Sequence, residues 1–393
     1  MKQKEAVWLK IIRILLGLVF IFSGLMKAVD PIASAIKVDE YFISFGMGFM
    51  HPFSMFFGGC LSTAEMVLGL MMFSRIRVNL TSIFYMLFMT FFLFLTAWLA
   101  LAEHLEVNYG YDFGVVKDCG CFGQAVKMSN LQTFLKNVGL IIPTLIVFFK
   151  RKTIPDIRLT ILGQWLLVAI YVIAVFFIQF ICYRHLPWID FSDWKKGDNV
   201  ADTFVDQPAQ KSIVYVYKNV ADGTLSYFNE EEMMSMYDKD PNFAENFEYV
   251  DRKDSIIRDL VRCKIPGFTM TDTNGGEHAF GLINVNKETP TYLVFMHDLA
   301  ETNVKGLPAL EQLAEYCAAQ GYDIAAVTNS SEDEIAIFTE EHPLPFPIYH
   351  NTIDPVKGPF MTRDAVRANP GVIVIVKGIV KDKWNWRDIP EMK

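Results

Sequence analysis

The chain has 393 residues, 52% of them hydrophobic and 33 of them Phe, which is rich for a water-soluble protein. Its charge is divided: residues 1–185 hold 16 Lys and Arg against 10 Asp and Glu, whereas 186–393 hold 20 against 34. A basic, apolar half followed by an acidic half excludes nucleic acid as a partner, because binding it takes a cationic surface that displaces counterions.

Five runs, at 8–28, 55–73, 80–101, 131–149 and 159–182, are apolar and long enough for a hydrocarbon core that takes about 20 helical residues to cross. The first follows Lys2, Lys4, Lys10 and Arg13 as a signal peptide would, but no small-residue cleavage site is evident, so it reads as a retained helix. Lys and Arg near span ends set orientation. The N-terminus, the turn with Arg75 and Arg77, and the link from Lys150 to Arg158 are basic and read as cytoplasmic. The loop 102–130, with Glu103, Glu106, Asp112 and Asp118 against Lys117 and Lys127, falls on the far side. The expectation is a multi-pass protein of the cytoplasmic (inner) membrane, with its N-terminus in the cytoplasm. Everything after Tyr183 then lies in the periplasm or its extracytoplasmic equivalent, where disulfides persist.

Within that far-side loop stands KDCGCFG, residues 117–123. Cys119 and Cys121 are separated only by Gly120, the residue best able to adopt the backbone angles that a small disulfide ring needs. A strained, reducible bond suits a redox element better than a structural staple, which gains more by closing a long loop. Cys60 and Cys182 fall at the outer ends of spans two and five, so either loop cysteine has further candidate partners, and sequence does not select the connectivity. A loop-to-helix staple is one alternative reading. Metal ligation is another, but no His is close and no metal is expected.

Glu65 lies inside span two, where a carboxylate is costly unless it is paired or lines a hydrated cavity; it is either a proton carrier or a neutral lock between helices. Lys27 and Asp30 close span one, placed for a local ion pair or for snorkelling, with Lys27 also a candidate partner of Glu65.

Arg13 to Gly17 leading into Ser23-Gly24-Leu25-Met26-Lys27 and Asp30-Pro31, then Ala64-Glu65 with Gly69, then Cys119-Gly120-Cys121-Phe122-Gly123, resembles the DoxX/MauE family of helical membrane proteins over residues 8 to 150. The resemblance implies a four-helix bundle similar in plan to quinone-linked disulfide-forming enzymes, with a quinone as the implied cofactor. Span five is then an added tether.

In the acidic half, residues 213–228 alternate apolar and polar around Asp222-Gly223, a hairpin signal; 230–237 reads as a helix and 246–250 as a strand. Beyond Pro266 strands at 291–296 and 323–328 alternate with helices at 306–320 and 332–341, and a hairpin turns at Lys377-Gly378. With Asn369-Pro370 before GVIVIV, this stretch resembles a thioredoxin-like fold of the peroxiredoxin/TlpA type, which implies a cis Pro370. Such folds place CxxC after the strand matching 291–296, but this chain has HDLAETNVKG there. His297 and Asp298 occupy the vacated place as candidate binding residues. Cys317 reads as a packed thiol, and Cys263 precedes the domain.

The expected fold class is an all-α membrane bundle plus an α/β thioredoxin-like domain with a β-rich preface. The expected divisions are 1–150 for four spans, 151–194 for the fifth span and linker, 195–262 for the β-rich region and 263–393 for the thioredoxin-like domain. The function these features suggest is a relay of electrons by Cys119 and Cys121 between an extracytoplasmic protein client and a quinone, with the acidic domain docking a basic client. A non-enzymatic envelope scaffold is the rival. Transport is disfavoured by the lack of an inverted repeat or paired broken helices.

Overall fold

The structure, a computed structural model, describes residues 5–111, 113–114, 116, 119–121, 123, 126, 128–192, 194–201, 210–240, 242–258, 268–351 and 362–392. Cys263 lies outside them.

Six helices form the N-terminal unit: α1 (Val7–Val29), α2 (Pro31–Ser44), α3 (Ser54–Ser74), α4 (Val78–Tyr109), α5 (Asn130–Lys150) and α6 (Ile161–Arg184). All but α2 are long and apolar enough to cross a membrane, alone or, for α3 and α5, together with an adjoining 3-10 turn. Glycines set the central packing. A Cβ at Gly24 would fall 2.5 Å from the Met66 backbone nitrogen, and one at Gly69 would fall 2.6 Å from that of Ile21. Side-chain-free positions thus let α1 and α3 cross with their backbones close, as small residues do in membrane bundles.

Span five, expected as an added tether, also packs against the bundle. Val175 of α6 is fully buried, and Gln179 Nε2 donates to Ser62 Oγ (3.1 Å) and Thr63 Oγ1 (2.8 Å) of α3. A buried amide of this kind is retained only if its polar atoms are matched, and here α3 matches them. The three basic segments gather at one end of the bundle. Arg13 donates to the carbonyls of Met72 (2.6 Å) and Phe73 (2.7 Å), Ile157 N–H donates to the Arg75 carbonyl (2.8 Å), and Arg151 Nε donates to Asn79 Oδ1 (2.9 Å). 

Helix α2 is absent from the sequence reading. Asp30 starts it as N-cap, its Oδ1 accepting from Ala33 N–H (3.0 Å), with Pro31 at the first helical position.

Among the described residues, the C-terminal half has two sheets. Strands β1 (Gln210–Asn219), β2 (Leu225–Asn229) and β3 (Phe247–Arg258) pair antiparallel in the order β2-β1-β3, accompanied by α7 (Glu230–Lys239) and the short α8 (Phe243–Asn246). Its turn is at the expected place, with Gly223 at φ +74°.

After α9 (Ala279–Leu282) come β4 (Thr291–Phe295), α10 (Leu307–Gln320), β5 (Asp323–Thr328), α11 (Glu332–Glu341), β6 (Ile348–His350), β7 (Gly371–Val376) and β8 (Ile379–Asn385). The sheet order is β6-β5-β4-β7-β8, with β4, β5 and β6 parallel and β7 and β8 antiparallel. This is a thioredoxin-like arrangement, with a cis Asn369-Pro370 bond before β7. Alternation along β4 splits the core: Leu293 and Phe295 face one apolar cluster, while Tyr292 and Val294 face the other, together with Leu310, Leu313 and Cys317 of α10.

The domain boundary shifts. Trp194 and Val200 are fully buried in the first cluster, and Val200 N–H donates to the Gly378 carbonyl (2.7 Å). Residues 194–201 therefore belong to the thioredoxin-like core, not to the β-rich region expected from residue 195, and the three-stranded sheet is inserted between two parts of that core.

Candidate functional site

Residues 119–121 of the loop between α4 and α5 lie against the C-terminal parts of α1 and α2 and the middle of α3. Gly120 and Gly123 take left-handed angles, φ +62° and +57°, and Gly123 N–H donates to the Gly120 carbonyl (2.9 Å). Only glycine adopts such angles freely, so CGCFG curls tightly enough to bring Cys119 Sγ within 3.1 Å of Cys121 Sγ as two free thiols. Cys119 is buried and Cys121 is partly exposed.

A polar cluster meets the pair from inside the bundle. Lys27 Nζ donates to Glu65 Oε2 (2.7 Å), to Ser23 Oγ (2.9 Å) and to the Cys121 carbonyl. Ser23 Oγ lies 2.8 Å from Glu65 Oε2 and 2.5 Å from the Cys121 carbonyl oxygen, with one proton to give to either. The ammonium thus uses all three donors, and the Lys27–Glu65 ion pair has side chains only 7% exposed. Of the options open in sequence, Lys27 joins Glu65, whereas Asp30 caps α2. The close α1–α3 crossing at Gly24 is what makes this contact reachable.

From outside, α2 covers the loop. Tyr41 O–H donates to the Cys119 carbonyl (3.2 Å), and the Lys37 side chain packs over Gly120, whose added Cβ would lie 2.7 Å from Lys37 Cγ. Two small cavities flank the cluster, one of about 40 Å³ between α2 and the sulfurs and one of about 30 Å³ reaching Asn137 and Lys136 of α5. Each has room for one or two waters. The hydrogen bond from Cys119, aided by the ammonium charges of Lys136 and Lys27, holds the Cys121 thiol below its usual range despite burial. The same hydrogen bond and burial push Cys119 up. The first proton lost from the pair therefore leaves Cys121 as the thiolate.

Cys60 and Cys182 do not line either cavity and are free thiols, Cys182 being fully buried at the end of α6. Lys37, Tyr41 and Lys136, all absent from the sequence-based set, stand around the sulfurs instead. Helical spacing in PIASAIKVDEYFIS behind the Asp30-Pro31 cap was the signal for the first two; nothing local marked Lys136.

A second concavity, about 690 Å³, lies between the bundle and the thioredoxin-like domain. His297, Asp298 and Asn369 line it from the side where the fold would hold a dithiol. Thr362 Oγ1 donates to Asn329 Oδ1 (2.7 Å), so it accepts from His297 Nδ1 (3.3 Å), and this leaves His297 Nε2 as a bare acceptor. Among the described residues, that buried atom and Arg363 Nε have no hydrogen-bond partner. Burial, then the guanidiniums of Arg367 and Arg363, push His297 down to about 3, so it is neutral at physiological pH. Asp298 Oδ1 is occupied by Ala300 N–H (2.8 Å). Cys317, packed under α10, is pushed up to about 11 by burial and is a poor nucleophile. Among the described residues no cluster of three or more His, Cys, Asp or Glu is placed to hold a metal ion.

The CGC loop, the Lys27–Glu65 pair and the glycine crossing all fall within one stretch of the chain. Residues 5–150 match the MauE family model. Its description is methylamine utilisation protein MauE, and the MauE-matching region contains α1 to α5 and the whole sulfur site. No curated protein matches the chain. Among solved structures, the chain is similar to a putative thiol:disulfide interchange protein DsbE from Chlorobium tepidum, at 18% identity over 31% of this chain and 82% of that one, TM-score 0.24. It is also similar to a putative thioredoxin from Neisseria meningitidis, at 16% identity over 31% and 78%, TM-score 0.24.

Proposed function

We propose that this membrane protein is a thiol–disulfide oxidoreductase in which Cys119 and Cys121 pass electrons from an extracytoplasmic thiol client to a quinone, while the thioredoxin-like domain docks the client. The observation that supports this best is the contact between the two sulfurs beside the Lys27–Ser23–Glu65 cluster, because it joins a dithiol to a chain of proton-exchanging groups. The positive-inside pattern supports placing the CGC loop and the acidic domain outside the cytoplasm.

In this reading the oxidised pair meets a client thiolate at the more accessible Cys121, and Cys119 leaves with a proton. A second client thiolate then attacks the client sulfur of the mixed disulfide, and Cys121 departs as the thiolate its surroundings favour. The client gains a disulfide and the pair is left as a dithiol. Glu65, bordered by the two small cavities, is placed to accept a proton released when the pair closes again, with the Ser23 hydroxyl as a relay, and both protons pass on to the electron acceptor. An apolar groove of about 490 Å³ along α4, lined by Phe45, Leu87, Phe91, Phe94 and Trp98, fits a flat ring and an isoprenoid chain, and the neighbouring Phe92 lines both sulfur cavities. Bound there, a quinone would supply the two-electron, two-proton acceptor that restores the disulfide.

The test is to replace Cys119 and Cys121 by Ser and follow oxidation of extracytoplasmic thiol proteins in cells. Loss of oxidation is expected, and in the wild type the pair should shift between dithiol and disulfide with quinone supply. A pair fixed in one state whatever the supply rules out the relay. Full activity of the double variant favours the scaffold reading, for which the missing CxxC after β4 is the specific support.

A further inference from the structure

Helix α2 is a partition. Ile32, Ala35, Ile36 and Asp39 line the large cleft against the soluble domain, while Ser34, Lys37, Val38 and Tyr41 line the sulfur cavity. Each set follows the i, i+3, i+4, i+7 spacing of one helix face, so two faces of the same 14-residue helix look onto two different spaces. Contacts at its start, middle and end hold the helix. In its middle it lies on Gly58 of α3, where an added Cβ would stand 3.0 Å from the Ala35 nitrogen. Toward its C-terminal end Tyr41 reaches the Cys119 carbonyl. At its start Asp30 divides its carboxylate, Oδ1 capping α2 and Oδ2 accepting from Arg367 Nε of the thioredoxin-like domain (3.3 Å). Arg367 is itself oriented by the Arg363 carbonyl and by Asp364 Oδ1, both 3.0 Å or less away. Both members of the Asp30–Arg367 pair are almost fully buried, with side chains 4% and 6% exposed. Such a pair adds little net stability but makes the loss of either partner expensive, so it fixes geometry.

We propose that Arg367 is a positioning residue for the sulfur pair: through Asp30 it sets α2 over the CGC loop, so that the soluble domain, although it lacks a dithiol, controls access to Cys121. The proposal rests on the functional reading above for its purpose, but its test needs no turnover. The full-length protein, reduced in its membrane, is treated with a small membrane-impermeant maleimide, and the rate of Cys121 alkylation is followed by mass spectrometry.

Arg367→Ala is expected to raise that rate about fivefold, the change that about 1 kcal/mol of lost local protection gives. Arg367→Lys, which keeps the charge facing Asp30, should return it most of the way. This rescue separates positioning from a general loss of stability. Tyr41→Phe should raise the rate by itself, with little further increase when Arg367→Ala is added, because both act through α2. If Arg367→Ala does not accumulate in the membrane, Asp30→Asn replaces it, since Asn keeps the helix cap while removing the charge. A wild-type rate in the charge-removing variant, or full additivity with Tyr41→Phe, overturns the proposal and leaves the relay untouched. Retained client oxidation in the Cys119 and Cys121 double variant sinks the relay and leaves the positioning result standing.

Discussion

The bundle and the thioredoxin-like domain both bear the outline of thiol chemistry, but among the described residues two sulfurs meet only in the bundle. In the bundle, two thiols touch beside the Lys27–Glu65 ion pair, at the cost of burying an ammonium and a carboxylate among apolar helices. The thioredoxin-like domain keeps the sheet order, the helix after β4 and the cis proline, yet places a neutral imidazole where a dithiol would stand. The contrast teaches that fold and chemistry separate: a scaffold can outlast its nucleophile and serve by holding something in place.

Three measurements would sharpen or break this contrast beyond the cysteine and Arg367 variants. The largest effect is expected in the bundle. Lys27→Met leaves Glu65 buried without its cation and should destabilise the detergent-solubilised protein by about 3 kcal/mol, with the Lys27→Met, Glu65→Leu pair recovering much of the loss. Thermal unfolding of the three proteins checks it, and equal loss in single and double variants would mean the pair is not a unit.

The next effect belongs to the soluble domain and depends on pH. His297 is held well below its unfolded value, so its contribution to stability is full above about 6.5 and is lost as pH falls toward about 3. Urea unfolding of the full chain between these limits should show a falling stability that flattens in His297→Gln. A slope unchanged by the substitution would show that His297 is not held neutral by its surroundings.

The smallest is a null result on Cys317. With its thiol pushed up to about 11, it should stay unmodified by maleimide at pH 8 while Cys121 reacts, until the domain is unfolded. Rapid labelling in the native state would remove the contrast between an inert and a reactive sulfur.

Much of this was legible in the sequence, for reasons that differ by region. The five spans stood out because hydrocarbon demands long uninterrupted apolar runs, and β4, β5, α11 and the final hairpin because their periodicities are clean. The meeting of Lys27 with Glu65 was foreseeable because a buried carboxylate needs a cation. Helix α2 was not read, since 14 residues of mixed character between spans look like a loop until Asp30-Pro31 is weighed as a cap. Lys136 reaches the sulfurs from 15 or more residues beyond the CGC loop, and Arg367 reaches Asp30 from 337 residues away; neither contact leaves a local mark. Residues 194–201 were misassigned for the same reason: Trp194 joins a core whose other members come much later in the chain.

Trp194 and Phe268, on either side of the three-stranded sheet, stack edge to face with ring centres 5.2 Å apart. The chain segments that precede and follow the sheet thus meet in one core, while the three strands between them pair with one another. Excision with a short glycine-serine bridge, or exchange for another small folded unit, should leave the remaining domain able to assemble, which makes this junction a natural site for grafting a reporter.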